Sequence, residues 1–104
     1  MKSTKPLTVK TSLKISDELL IHPNEGFDLG LMNTKTTTKI FANVPVDVFN
    51  TGDKDFISGN LVLSNNCNHY EIQMSHKYWK KIGSPNKVVL FFDDNKVLIS
   101  NENK

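Results

Sequence analysis

The sequence predicts a mainly β (α+β) fold, a small single-domain barrel of about six to seven short strands with two short helices. Two observations predict it. Short segments rich in Val, Ile, Thr and Phe alternate apolar with polar residues, as half-buried strands do. Only two segments carry helix-capping signals, and both are too short to cover a large parallel sheet. Because 104 residues is the usual size of one domain, we expect residues 1–104 to form a single domain with frayed ends at residues 1–5 and 101–104.

The first strands are predicted from alternation and from strand-forming residues. Apolar and polar residues alternate over residues 27–31 and again over residues 70–74, which predicts a strand in each place. Residues 36–49 are dense in Thr, Val, Ile and Phe, but Pro45 cannot donate a ladder hydrogen bond. We therefore expect two short strands that meet at an edge or a bend near Pro45, followed by a turn at residues 50–53.

The later strands follow the same pattern. Residues 56–63 resume it, and Gly59 with the asparagine after it predicts a bulge or a tight bend. Residues 87–92 and 96–100 flank a turn of two aspartates and an asparagine, residue types that tolerate hairpin turn conformations. A closing hairpin is therefore predicted near the end of the sequence.

Two segments begin with a serine in the position of a helix cap. Ser16 precedes residues 17–20, and Ser75 precedes residues 76–82. Pro23 lies close behind the first segment, where it would end a helix. Each segment is therefore predicted to form a short helix.

The second of these helices is predicted to be amphipathic and to end at Gly83. At helical spacing Tyr78 and Ile82 share one face, and we place Trp79 beside them in the core. The other face carries four basic or titratable side chains: His76, Lys77, Lys80 and Lys81. This is where clustered positive charge meets aromatic surface.

The charge composition limits the possible functions. All 13 basic residues are lysine, and the net charge is only +2. A protein that binds nucleic acid by total charge alone is far more basic, so any such binding must come from a local patch. Without arginine, the patch offers flexible point charges rather than bidentate forks.

The candidate site is a nucleic-acid-binding surface. We expect Lys77, Lys80 and Lys81 to contact phosphates. Tyr78 would stack on a base, with His76 nearby. A second stretch, residues 33–39, could add the donors Lys35 and Lys39. The simpler interpretation stays open for both, because surface helices and edge strands commonly carry solvated lysines and threonines.

The chemistry of metals and of catalysis finds little support in the sequence. Cys67 and His69 alternate, but a structural zinc site needs four ligands, and His22 and His76 have no paired spacing. No nucleophile elbow, Walker loop or dinucleotide fingerprint is present. We expect no cofactor, no metal and no enzyme. The lone cysteine and the absence of an apolar N-terminal run favour a cytoplasmic protein without a membrane partner.

An internal pattern suggests one family. Residues 15–20 followed by residues 24–32 parallel residues 74–83 followed by residues 86–92, each as strand, serine-capped turn of helix, tight turn and strand. This order resembles the swapped-hairpin domains of the AbrB, MazE and MraZ type. The resemblance implies a dimeric DNA-binding regulator.

The chain as a whole resembles a second family. Its length, its lysine and asparagine bias and its many short strands are similar to the small PrgU-type regulators of pheromone-responsive conjugative plasmids. That resemblance implies a PUA-like pseudobarrel and a cytoplasmic RNA-binding regulator that controls expression of plasmid-encoded surface proteins. DNA binding stays open as the alternative, as does a protein-interaction module that adds a partner strand along residues 34–41. The sequence leaves the oligomeric state open.

Overall fold

The computed structural model describes residues 1–13 and 18–102. Within these ranges the chain forms eight strands and three short helices. In chain order they are β1 (Lys2–Ser3), β2 (Leu7–Ser12), β3 (Glu18–Ile21), α1 (Pro23–Asp28), β4 (Lys35–Ala42), α2 (Val46–Thr51), β5 (Phe56–Leu63), β6 (Glu71–Ser75), α3 (His76–Lys81), β7 (Lys87–Asp93) and β8 (Lys96–Glu102). None of the helices in the described ranges has the length and apolarity needed to cross a bilayer.

Seven of the strands close into a barrel. Their order is β7, β2, β6, β3, β5, β4 and β8, and β8 pairs back onto β7. Three neighbouring pairs are parallel, β2 with β6, β3 with β5 and β4 with β8. The short β1 lies beyond β2 on the same edge of β7. The prediction of a mainly β barrel is confirmed.

The barrel interior holds the main core. Because side chains of a strand alternate between two faces, each strand sends every second residue inward. The two inward residues of β3, Leu19 and Ile21, are at most 1% exposed. The buried members of this core are Leu7, Leu19, Ile21, Leu29, Leu31, Ile40, Leu61, Ile72, Met74, Ile82, Val88, Leu90, Val97 and Ile99. Each such side chain stabilises the fold by roughly 1.5–3 kcal/mol through removal from water.

A second, smaller core lies on the outer face of the barrel. Phe41 follows the inward Ile40 and therefore faces outward, where Phe49 of α2 and Leu98 of β8 cover it. The Phe41 and Phe49 rings meet edge to face, with centroids 5.4 Å apart. This cluster holds α2 against the wall of the barrel.

The strand predicted at residues 27–31 is wrong. His22 and Pro23 begin α1 instead, because Nδ1 of His22 accepts the Asn24 N–H and proline suits the first turn of a helix. The apparent alternation arises because Leu29 and Leu31 are buried below the end of α1, whereas Phe27 is 76% exposed on its outer side.

The helix predicted at residues 17–20 is also wrong where it can be described. Glu18–Ile21 is strand β3, which pairs with β5 on one side and β6 on the other. Ser16 and Asp17 lie outside the described residues. Pro23 therefore does not end a helix but begins α1.

The segment around Pro45 is partly as predicted. Strand β4 is confirmed and ends at Ala42, but Pro45 caps α2 rather than separating two strands. Gly52 in the left-handed region, with φ of +70°, ends that helix. The bend predicted near Gly59 is wrong, because β5 pairs with β4 without interruption and Gly59 stands opposite Thr38.

The predicted C-terminal hairpin is confirmed. Strands β7 and β8 form a hairpin in which Asp93 pairs with Lys96, and Asp94 and Asn95 take the positive φ values that a two-residue turn requires. At the N-terminus, where fraying was expected, the structure pairs β1 with β7 and buries Thr4. Strand β8 likewise extends to Glu102, and residues 103–104 lie outside the described ranges.

Candidate functional site

Helix α3 forms as the sequence predicts and covers one end of the barrel. Its cap is Ser75, whose Oγ accepts the Tyr78 N–H at 3.0 Å. The Trp79 indole Nε1 donates to the Pro85 carbonyl at 2.8 Å, and Gly83 ends the helix with φ of +104°. These contacts fix the direction of the side chains that α3 presents.

A cleft of about 460 Å³ separates α3 from strands β3, β4 and β5. Its apolar floor includes Ile40 and Ile57, and Ile40 belongs to the main core. The α3 wall consists of His76, Lys77, Tyr78 and Lys81. A second hollow of about 380 Å³ shares Ile40, Ile57, Tyr78 and Lys81 and extends the cleft along α3. The combined groove is in the size range of small-ligand sites.

Tyr78 forms part of this wall rather than standing on an open surface. It packs against the main core, as does Trp79, which matches the prediction for the tryptophan. Burial raises the pKa of Tyr78 to about 12. The phenol is therefore neutral at physiological pH, and its ring offers a fixed apolar surface to whatever occupies the cleft.

The charges around the cleft are unevenly balanced. Among residues 1–13 and 18–102, Lys77 and Lys81 make no salt bridge. The acid at one end of the cleft, Glu18, is paired with Lys35, with 3.5 Å between Oε2 and Nζ. Asp55 lies at the other end. The α3 wall therefore carries two lysines that form no ion pair within the described ranges.

The structure does not bring all of the predicted binding residues together. Lys80 is exposed but does not line the cleft, and Lys35 reaches it only through Glu18. Lys39 is engaged elsewhere, because its Nζ donates to the Gly52 carbonyl at 2.8 Å and lies 4.7 Å from the centroid of the Phe56 ring. Lys39 thus holds the end of α2 against the barrel.

The strand edge expected to be free along residues 34–41 is partly covered. Strand β4 pairs with β5 over its length and with β8 over residues 39–42. Ahead of that, the Asn95 side chain donates to the Thr37 carbonyl, and the Thr38 hydroxyl donates to the Asn95 carbonyl. Closure of the barrel thus occupies this edge from residue 39 onward, which leaves a shorter edge for a partner strand.

No family model, curated protein or solved structure matches this chain. The candidate sites are therefore inferred from the geometry of their own residues.

A second group of side chains lies at the opposite end of the barrel. His22 follows β3, Glu25 lies in α1, and His69 precedes β6. One ligand atom from each of these three residues lies within 4.8 Å of the other two. The two imidazole rings stack with centroids 4.0 Å apart. Within the described ranges, these three side chains are the group that could hold a metal ion.

The sequence analysis missed this group because it considered His69 only as a possible ligand beside its sequence neighbour Cys67. The available signal is the spacing of His22 and Glu25, which suits the first turn of a helix, but Pro23 was expected to end a helix there rather than to begin one. His69 lies far away in the sequence and comes close only because β3 and β6 are antiparallel neighbours.

Cys67 lies near these residues but serves a different purpose. Its thiol is buried and donates to the Glu71 carbonyl at 3.2 Å. Burial raises the pKa of Cys67 to about 12, and the negative charge of Glu71 adds to the effect. The sulfur is therefore a neutral hydrogen-bond donor that ties the turn to β6.

Glu71 makes the stability of this turn depend on pH. Its burial acts to raise the pKa, but hydrogen bonds from the Gln73 amide and the Asn68 N–H outweigh that effect and lower the pKa below 4.5. A group with a lowered pKa in the folded state stabilises above its unfolded pKa, and this contribution is lost as pH falls through the folded value. We expect Glu71→Gln to cost about 1–3 kcal/mol at neutral pH and less in acid.

Urea unfolding at about pH 7 and about pH 3 measures this difference. The control is Glu102→Gln, which removes an equally charged but exposed carboxylate at the end of β8. Equal losses for Glu71→Gln at both pH values would contradict the assignment.

Proposed function

We propose that the protein is a non-enzymatic, cytoplasmic RNA-binding regulatory protein whose cleft beside α3 takes single-stranded RNA. One observation carries the proposal: Lys77, Lys81 and Tyr78 line the same cleft, above a floor of Ile40 and Ile57. Positive charge, an aromatic face and an apolar recess are the three elements that single-strand binding uses.

Each wall of the cleft suits one part of a nucleotide. Lys77 and Lys81 are four residues apart on α3, about one helical turn, so they can contact phosphates along one side of the groove. The cleft, about 460 Å³ in volume, is large enough for a base, which would meet the Tyr78 ring and the two isoleucines. A base can enter such a recess only when it is unstacked, and this favours single strands or loops over duplexes.

The charge pattern predicts modest sequence selectivity. Lysine ammonium groups act as point charges, and phosphate contacts carry no base information. Any preference must come from the fit of the base between Tyr78 and the floor. A regulatory role in the expression of plasmid-encoded surface proteins rests on the resemblance to the PrgU-type regulators and forms part of the proposal.

The test is a titration of labelled single-stranded RNA against wild type and the double variant Lys77→Ala/Lys81→Ala over a range of salt concentrations. We expect the variant to bind more weakly. Its plot of log affinity against log salt should be shallower by about 1.4, since each phosphate contact to a single strand contributes about 0.7.

The matched control is Lys5→Ala/Lys54→Ala, which removes the same charge from exposed lysines outside the cleft. This pair should keep the wild-type slope. Equal losses in both double variants would show that the cleft is not the site, and a wild type that binds no RNA would overturn the proposal. Preference for duplex DNA of the same sequence would support a DNA-binding regulator instead.

A further inference from the structure

We propose that His22, Glu25 and His69 form a binding site for a divalent transition metal ion of the zinc class. The site is independent of the RNA cleft. Strand β3 starts at Glu18 beside the cleft and ends next to His22, while β6 starts after His69 and ends at Ser75 beside the cleft. The three side chains therefore lie at the far end of the barrel.

The Glu25 carboxylate is a buried negative charge beside the two histidines. Its side chain is only 2% exposed. One oxygen accepts the Tyr70 N–H, and the other lies 3.8 Å from Nδ1 of His69, which is its ion-pair partner within the described ranges. A buried carboxylate needs close compensation of its charge. A cation between Glu25 and the histidines would supply it.

Both histidines can turn a lone pair toward that cation. Nδ1 of His69 faces Glu25, while its Nε2 lies 3.0 Å from the side-chain amide of Asn24. With a metal on Nδ1, the ring proton resides on Nε2 and would be donated to the amide oxygen of Asn24 after a half-turn of that amide. A hydrogen bond to the second nitrogen is the usual way in which proteins orient a histidine ligand.

Metal binding at His22 would cost a hydrogen bond that caps α1. Its Nδ1 accepts the Asn24 N–H at 3.1 Å, so the neutral ring keeps its proton on Nε2. A metal bound at Nδ1 would replace that hydrogen bond. Metal and helix cap therefore compete for one nitrogen, and the cap keeps the ring in place while the metal is absent.

The backbone around the site is held in an uncommon conformation. Tyr70 has φ of +57°, a left-handed value that is rare for an aromatic residue. Its N–H is the group that Glu25 accepts, so the carboxylate fixes the turn that presents His69. Such strain is found where the surrounding structure positions functional groups.

The ligand set selects the class of metal. Imidazole nitrogens suit zinc, cobalt, nickel and copper, whereas magnesium and calcium take oxygen ligands. Zinc binds imidazole at about 2.0–2.1 Å and carboxylate at about 2.0–2.2 Å, so the three groups must move together from their present spacing. The half-exposed His69 side chain can make that movement. Three protein ligands leave a fourth position for water.

The test uses the full chain without a polyhistidine tag, after treatment with a chelator. Zn²⁺ is titrated by calorimetry and Co²⁺ by visible absorption, which reports the coordination geometry without any need for activity. We expect one ion per chain. His69→Ala and His22→Ala should each weaken metal binding by about 10-fold to 100-fold or more. Loss of a group that only orients a metal ligand already costs about 10-fold to 100-fold.

His76→Ala is the matched control, because His76 is the third histidine of the chain and lies beside the cleft. It should bind Co²⁺ as the wild type does. Circular dichroism verifies that each variant folds, and His69→Ala is the main variant because its side chain is half exposed. A folded wild type that binds neither ion, or an equal loss in His76→Ala, would overturn the proposal. The RNA affinity of His69→Ala should equal that of wild type, so the two proposals can fail separately.

Discussion

Replacement of Phe49 by alanine is expected to lower the free energy of unfolding by about 3–5 kcal/mol. Phe49 is fully buried on the outer face of the barrel, against Phe41 and Leu98. The Lys96 Nζ lies 5.3 Å from the centroid of its ring and donates to the Asn50 carbonyl at 2.9 Å. Truncation would leave a cavity and would also loosen the lysine that holds the end of α2. Because a domain of this size has only about 5–15 kcal/mol in total, the variant should be marginally folded.

Urea unfolding followed by circular dichroism measures the loss. Val46→Ala is the control on the same helix, since Val46 is 54% exposed, and it should change stability by no more than about 0.5 kcal/mol. Similar values for the two variants would contradict the packing of α2 described above.

Cys67 is expected to be almost inert to iodoacetamide in the folded protein. The thiolate is the reactive species, and a pKa raised from 9.0 to about 12 lowers its fraction by about 1,000-fold at neutral pH. Burial of the sulfur blocks approach as well. Alkylation should therefore proceed through transient opening of the turn, several hundred-fold or more below the rate in urea, where the thiol is free.

Mass spectrometry of samples quenched over time gives both rates. The control variant combines Cys67→Ser with Ser58→Cys, which moves the single thiol to an exposed position on β5. Its folded and unfolded rates should agree within about 10-fold. If native Cys67 reacted as fast as that exposed thiol, its burial and its raised pKa would both be refuted.

The sequence predicts elements whose signals are local. Helix α3 has its cap at Ser75 and its stop at Gly83 within a few residues, and both are found where expected. The closing hairpin depends only on residues next to Asp94 and Asn95. In each case, neighbouring residues decide the backbone conformation without help from the rest of the fold.

Elements decided by distant contacts were predicted wrongly. Residues 46–51 contain branched residues that favour strands, yet they form α2, because Phe49 is buried there and lysines from β4 and β8 bind the carbonyls at its end. Glu18–Ile21 forms β3 because β5 pairs with it along its length and β6 pairs with its last two residues. Propensity in such short segments is weaker than tertiary packing.

The candidate sites show the same division. The α3 side of the cleft follows from helical spacing, but its floor comes from Ile40 and Ile57, which only the pairing of β4 with β5 brings opposite each other. The group at His22, Glu25 and His69 spans two loops and a helix. The spacing of His22 and Glu25 is visible in the sequence, but the approach of His69 depends on the pairing of β3 with β6 and is not.

The circular arrangement of the strands has a consequence for how the chain is made. The strands that complete the ring, β7 and β8, follow all of the others in sequence, and they pair with β2 and β4. Until β7 and β8 have been synthesised, β2 and β4 each have an edge whose backbone N–H and C=O groups lack their partner strand. Loop-closure entropy then makes the final step slow, on the order of milliseconds to seconds. The hairpin of β7 and β8 thus closes the barrel last. A nascent chain whose synthesis stalls before this hairpin would expose the unpaired edges of an open sheet to other chains.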